Sequence, residues 1–575
     1  MKTALVVYAN SDEALLLWTA DRIDDGCRGF AIERRLRRGQ RDEKGWLDNY
    51  APPPRTPAGL GQHQSSAEWP FRRFTWTDHS VDAGDRVSYR VIPVFDDGPD
   101  VKRGSRWSRS LTLGFPARAK YAAFFNRGFV ISQFMSRYLD EHYPGLKRTE
   151  ALRRFKKDAA RVEDRLRVFL SGQLRTKLLE VLESVRKGDG HVYAALFELN
   201  DRELIDALVA LHERAHVVLA NGAIAIKEDK SGKAIEKTAE ARTRDENRSA
   251  RRRLIGGRVD VEKKNRFVSP KPLAHNKFLV VTDAAGSPKR VWTGSTNWTT
   301  TGLCTQLNNG LLVDDAGVAA AYLAQWRALR SAGSDHPATL ATSDSTATDV
   351  PAARASVHFT PAKRRVDLDA LAEIVSRATQ GVLFLMFIPG AKGVLASVRA
   401  LQRAKPDLLI RGVVSDLPKG RGDEKTGAKT SVRVTLVGGP NRRLDGPRAF
   451  DVIQPEGKAN PTTHWAAETT RGQFSAIGHA IIHSKILVVD PLSDDPTVVT
   501  GSHNFSISAS EDNDENFIVV HGDKRLAEAY AVNIQSAWRH YAGRMPNPHP
   551  KLGNVEYLRA LLNDQRQHDL FWRLG

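Results

Sequence analysis

Cysteine is nearly absent: of 575 residues only Cys27 and Cys304 carry a thiol, and they fall in segments that read as different folding units. A chain this long can bury its cores without covalent staples, so the composition points away from a secreted disulfide framework and towards a reducing cytoplasm. Long apolar runs are missing too. The longest, such as Val382 to Pro389, are strand-sized, well short of the roughly 18 residues a membrane-spanning helix needs. At the N-terminus, Asn10, Asp12 and Glu13 interrupt the apolar stretch before a signal-peptide core could form. There is no CxxC pair, no HExxH, no carboxylate cluster with metal-ligand spacing and no Gly-rich Walker loop, so no metal and no cofactor is expected.

Positive charge, by contrast, is plentiful. Lys and Arg number 86 against 67 Asp and Glu, a formal net charge of +19. Such an excess favours a polyanionic partner, with a nucleic-acid backbone preferred and an anionic phospholipid as the alternative.

Residues 1–115 alternate short apolar runs with turns (ALLLWTA, GFAIERRL, FRRFTWTD, RVSYRVIPVF), the pattern of an all-β sandwich. The order of these pieces, with Trp18 on an early strand, then FAIERRL, TWTDHSVDAGDRVSYRV and a closing SRWSRSLTLG, resembles a fibronectin type III domain. From about residue 116 apolar residues recur every three or four positions among many charges, which predicts amphipathic helices. Beyond residue 190 a strand–helix plan occurs twice, so two similar α/β lobes are expected, 116–335 (with the helical region) and 358–575. The Ser-, Thr-, Ala- and Pro-rich stretch 336–357 reads as the linker between them.

Each copy carries one histidine and one lysine two residues apart at a strand, His275/Lys277 and His483/Lys485. Alternation along a strand puts residues i and i+2 on one face, so each motif presents an imidazole and an ammonium together. On the next strand of each copy stand Gly294, Ser295 and Asn297, and Gly501, Ser502 and Asn504. Glycine permits close backbone approach, while the hydroxyl and amide can donate to phosphate oxygens, so Ser295, Asn297, Ser502 and Asn504 are the expected phosphate-binding residues. A single His-x-Lys strand would be a weak signal; two, each followed by GSxN, are not.

These motifs resemble the bilobal phospholipase D superfamily, whose pattern is His-x-Lys-x4-Asp followed by Gly-Ser and a nearby Asn. The second copy matches it in full with Asp490, whereas Asp283 of the first lies one residue late. The resemblance implies two lobes related by pseudo-twofold symmetry around one site, complete in a single chain. One imidazole would attack phosphorus while the other protonates the leaving oxygen, giving a phosphohistidine, and the lysines would take the place of a metal. It also implies an acidic residue after each GSxN strand that orients the opposite histidine. Glu515 fills that place in the second lobe and Asn308 stands there in the first, which assigns His275 as nucleophile and His483 as general acid.

The function these residues predict is a metal-independent phosphodiesterase, hydrolase or transferase, acting on nucleic acid. The alternatives are a phospholipase D or phosphatidyl transferase acting on lipid headgroups, and a non-catalytic binding protein in which the sandwich makes the contacts.

Overall fold

The computed structural model describes residues 1–53, 56, 62–128, 142–224, 226–227, 229, 235–241, 243–263, 266, 272–333, 347–389, 392–406, 408–415, 435–436, 450–454, 482–542 and 552–563. The N-terminal domain is all β. One antiparallel sheet joins Thr3–Ala9, Ala14–Ala20 and Thr75–Asp78, and a second is built on Gly29–Arg38 and Arg86–Phe95. Leu16 and Trp18 of the first sheet share a core with Phe30, Ile32, Tyr89 and Val91 of the second, the face-to-face packing of a sandwich.

Two α/β lobes follow, each built on one sheet. In the first lobe the strand order is Tyr121–Phe125, Asn309–Val313, Pro288–Gly294, Lys277–Thr282, His191–Leu196, Ala215–Leu219, Asp260–Val261. In the second, the same order is taken by Ala355–Phe359, Asn516–His521, Thr497–Gly501, Ile486–Val489, Gly381–Met386, Leu409–Val414 and Phe450–Gln454. In both lobes one strand pair is parallel, His191–Leu196 with Ala215–Leu219 and Gly381–Met386 with Leu409–Val414, while Lys277–Thr282 and Ile486–Val489, which begin at or just after the His-x-Lys motifs, run antiparallel to their neighbours.

These central strands are near-continuous hydrophobic runs because both sheet faces are covered. Phe278 and Val280 point into a core shared by the two lobes, while Leu279 and Val281 face the outer helices of the first lobe. Likewise Leu383 and Leu385 join the shared core and Val382, Phe384 and Met386 the outer one. Helices Ala316–Ala332 and Lys524–Ala542 contribute Tyr322, Trp326, Tyr530 and Ile534 to the shared core, so the lobes are joined by apolar packing.

Three placements refine the expected boundaries. Tyr121–Phe125, in a stretch expected to be helical, is the edge strand of the first lobe. Ala347–Val350 and Ala355–Phe359, within the expected linker, pair into the sheet of the second lobe; residues 336–346 of that linker lie outside the described residues. Helix Asn554–Asn563, in the span assigned to the second lobe, packs Leu558 into the core of the N-terminal domain, and Arg559 donates to the Ile23 carbonyl. That domain is also seated on the second lobe, where Arg525 donates to the carbonyls of Ala9 and Gly114. Among the described residues no helix is long and apolar enough to cross a membrane.

Candidate active site at the lobe interface

The lobes meet through two main-chain bridges that repeat one another. The His275 N–H donates to the Asp514 carbonyl at 3.0 Å, and the His483 N–H donates to the Leu307 carbonyl at 3.0 Å. Each histidine is thereby carried to the segment that follows the GSxN turn of the other lobe. Side chains reinforce the pairing with the same symmetry. Asn309 donates to Thr500 and Tyr530 of the second lobe, while the Asn516 carbonyl oxygen accepts from Thr293 and Tyr322 of the first. Asn276 donates to Asp514 and accepts from Asn516, and Asp514 is ion-paired with buried Arg266 at 2.7 Å.

His275, Lys277, His483 and Lys485 are all buried at this junction. His275 Nδ1 lies 3.2 Å from Glu515 Oε1. His483 Nδ1 lies 2.9 Å from Asn308 Oδ1; the Asn308 amide nitrogen donates to the Gly302 carbonyl, so its oxygen faces the ring and Nδ1 carries the proton. Both imidazoles therefore turn Nδ1 to the opposite GSxN segment. Lys277 donates to the His275 carbonyl at 2.7 Å and Lys485 to the His483 carbonyl at 2.6 Å. Phe197 backs the first pair, its ring centroid 4.8 Å from the His275 ring and 5.0 Å from Lys277 Nζ. Phe387 backs the second, 5.0 Å from the His483 ring and 5.1 Å from Lys485 Nζ.

Four bases crowded out of water resist protonation. Burial, with Lys277 adding to it and Glu515 opposing, pushes His275 down to about 4. Burial pushes Lys277 down to about 7 against the pull of Glu515 and Glu198. Burial, then the neighbouring lysines, hold His483 well below its ordinary value, and burial with Lys277 does the same to Lys485. Burial alone would raise Glu515, but His275 and Lys277 beside it keep it low, so it is a carboxylate. A buried cluster of suppressed cations is arranged to accept an anion, whose charge would restore the protons.

The other expected site residues are placed as follows. Ser295 and Ser502 are buried, and each hydroxyl accepts from the main chain of the neighbouring strand, at Asn309 (3.1 Å) and Asn516 (3.0 Å). Ser295 also donates to Asn308, so it holds in place the amide behind His483. A Cβ at Gly294 or Gly501 would stand 2.4 Å from the Asn309 carbonyl oxygen or 2.2 Å from that of Asn516, so both glycines make room for the adjoining strand. The Asn297 amide donates to Glu198 at 2.7 Å, and among the described residues the buried Oδ1 of Asn504 has no hydrogen-bond partner. Asp490 accepts from the main chain of Thr379, Gln380 and Gly381, fastening the start of a strand, and Asp283 sits in a hairpin against Lys289.

Several residues here were not singled out by sequence. Phe197 and Phe387 directly follow the corresponding strand of each copy, so aligning the copies would have found them; the same holds for Asn309 and Asn516, each the first residue of its strand. His503, inside the second GSxN turn, accepts from the Phe505 N–H at 3.0 Å and places Nε2 3.0 Å from Asp367, which also takes the Ser510 hydroxyl. No local pattern links Asp367 to that turn.

The fold and site define a bilobal α/β protein whose two copies of one unit share a paired His–Lys centre. Two segments of the chain, residues 181–329 and 428–538, match the family model described as "Cardiolipin synthase, PLD-like domain". Among solved structures, it is similar to polyphosphate kinase from Porphyromonas gingivalis (10% identity, 98% of this chain, 82% of that chain, TM-score 0.40). It is similar also to phosphatidylserine synthase from Haemophilus influenzae Rd KW20 (11% identity, 69% and 92%, TM-score 0.38). A third is Nuc of Salmonella typhimurium, a phospholipase D family member (18% identity, 32% and 94%, TM-score 0.19). No curated protein sequence matches the chain.

Proposed function

We propose that the protein is a phosphodiesterase that works through a phosphohistidine, with His275 as nucleophile and His483 as general acid. The observation that carries this reading is the reciprocal cross-lobe placement of Glu515 on His275 and Asn308 on His483. With Nδ1 of each ring facing a residue of the opposite lobe, Nε2 is the nitrogen left to each for the substrate. His275 attacks phosphorus from one side; the ester bond on the far side breaks and its oxygen takes the proton of His483. Water or an alcohol, deprotonated by His483, then displaces His275. Lys277 and Lys485 stabilise the equatorial oxygens. Glu515 stabilises the positive charge that His275 acquires on phosphorylation.

The net charge of +19 supports a nucleic-acid substrate. One observation favours the lipid reading: Ile388, next to the Phe387 wall, is exposed, and an apolar residue at the mouth suits an acyl-bearing ester. For the N-terminal domain we propose a fibronectin type III-like sandwich.

The test is incubation of purified protein in EDTA with plasmid, single-stranded DNA, RNA and phospholipid vesicles in parallel. Cleavage of nucleic acid in chelator is the expected result. Headgroup release alone moves the substrate to lipid, and turnover that needs added magnesium or zinc overturns the lysine-based mechanism.

A further inference from the structure

The two lobes repeat each other closely at the site, which makes the place where they differ informative. The residue after the wall phenylalanine is Glu198 in the first lobe and Ile388 in the second. Glu198 is half-buried and takes the Asn297 amide on Oε2 at 2.7 Å. Among the described residues Oε1 takes no hydrogen bond. Among the described residues the corresponding Asn504 of the second lobe donates to no such carboxylate, and Ile388 stands in the place of Glu198. Burial lifts the Glu198 carboxyl above its ordinary range and Lys277 draws it back, which sets this group in the electrostatic field of the phosphate-holding lysines.

A carboxylate on the wall of a phosphate site opposes the binding of phosphate itself. Lys277 and Lys485 offset that repulsion but gain nothing from it. Such a group is accounted for when the substrate brings a hydrogen-bond donor fixed beside its phosphate. In a ribonucleotide the 2′-hydroxyl is that donor, on the carbon adjacent to the one bearing the ester oxygen, and it is the group by which a protein tells RNA from DNA.

We propose that Glu198 is a specificity-determining residue that accepts a hydrogen bond from the 2′-hydroxyl next to the bound phosphodiester, so that the site prefers RNA to DNA. The inference rests on the nucleic-acid phosphodiesterase reading above. A site built to bond a hydroxyl rejects the analogue that lacks it far more strongly than a size difference alone would allow, because the acceptor, once the substrate covers it, is left unpaired.

The test uses the full chain in EDTA with a short oligouridylate, its 2′-deoxy counterpart and its 2′-O-methyl counterpart, comparing kcat/KM. The methyl ether keeps an oxygen but removes the donor. The wild-type protein should favour the ribo-oligomer over both analogues by about 10- to 100-fold, the range for a hydrogen bond to a charged acceptor. Glu198→Gln, nearly isosteric, should reduce that preference, and Glu198→Ile, which copies the second lobe, should abolish it. Equal turnover of all three oligomers, a methyl ether as good as the hydroxyl, or a preference that survives Glu198→Ile overturns the inference while leaving the phosphodiesterase reading intact. No cleavage of any of the three by the wild-type protein overturns the nucleic-acid reading and this inference together.

Discussion

The Nδ1 atom of His275, in the first lobe, stands 3.2 Å from the carboxylate of Glu515, in the second, whereas His483 Nδ1 faces the neutral amide of Asn308. The two imidazoles are thus alike in position and unlike in how well their surroundings support a positive charge.

They should therefore fail differently. His275→Ala is expected to abolish turnover of every diester. His483→Ala should keep some turnover of a p-nitrophenyl diester, whose leaving group needs little protonation. Glu515→Gln should lower the rate by about 10²–10⁴ while leaving the ring in place, as loss of the carboxylate behind a catalytic imidazole does elsewhere. Acid-quenched protein examined by mass spectrometry should carry its phosphoryl adduct on His275; an adduct on His483 would reverse the two roles.

Anion binding should take up protons. Lys277 sits near 7 in the free protein, and an oxyanion beside it favours the charged form, raising its pKa in the complex. Phosphate or tungstate affinity should then be flat below pH 7 with respect to this group and fall as pH rises above it. Calorimetry at pH 8 in buffers of different ionisation enthalpy should show net proton uptake, and Lys277→Met should remove most of it. Proton release would contradict the arrangement.

The same lysine costs stability. Its folded-state pKa lies below its unfolded value of about 10.4, so the charged form is disfavoured by folding. That penalty is complete below pH 7 and fades as pH rises from about 7 towards 10. Lys277→Met should raise Tm most at pH 6, by about 1 °C for each kcal/mol regained in a unit as large as the two joined lobes, with the gain shrinking by pH 9. A lower Tm at pH 6 would mean that the lysine's contacts with the His275 carbonyl and Phe197 outweigh its burial.

Asp367 holds the second GSxN turn through His503 and takes the Ser510 hydroxyl as well. Asp367→Ala leaves both groups buried without their acceptor, a loss of about 1–3 kcal/mol for each. Denaturant unfolding should show it, and kcat should fall with the turn that carries Ser502 and Asn504. Asp367→Asn, which keeps one acceptor, should recover most of the stability.

Much of this was written locally in the chain. His275, Lys277, His483 and Lys485 declare themselves because a period-2 motif is repeated with its GSxN follower, whereas Glu515, one of several acidic residues in its loop, is picked out only by the resemblance, which implies an acidic residue after each GSxN strand. Tyr121–Phe125 was hidden because all five of its residues are buried, which erases the alternation by which a strand is known. Leu558 and Asp367 find their partners in segments remote along the chain, and no periodicity encodes such meetings. Glu198 was invisible for a plainer reason: in a chain with 67 acidic residues, one glutamate means nothing until its neighbours are known.

The bonds that seat each histidine against the other lobe run from its own N–H to the carbonyls of Asp514 and Leu307. Those atoms belong to every residue type except that proline lacks the N–H, so ordinary substitution cannot delete them. The junction is consequently more durable in evolution than the chemistry proposed for it. A descendant that lost either imidazole would retain the docked lobes, and selection could then turn an enzyme into a receptor for the anion it once cleaved.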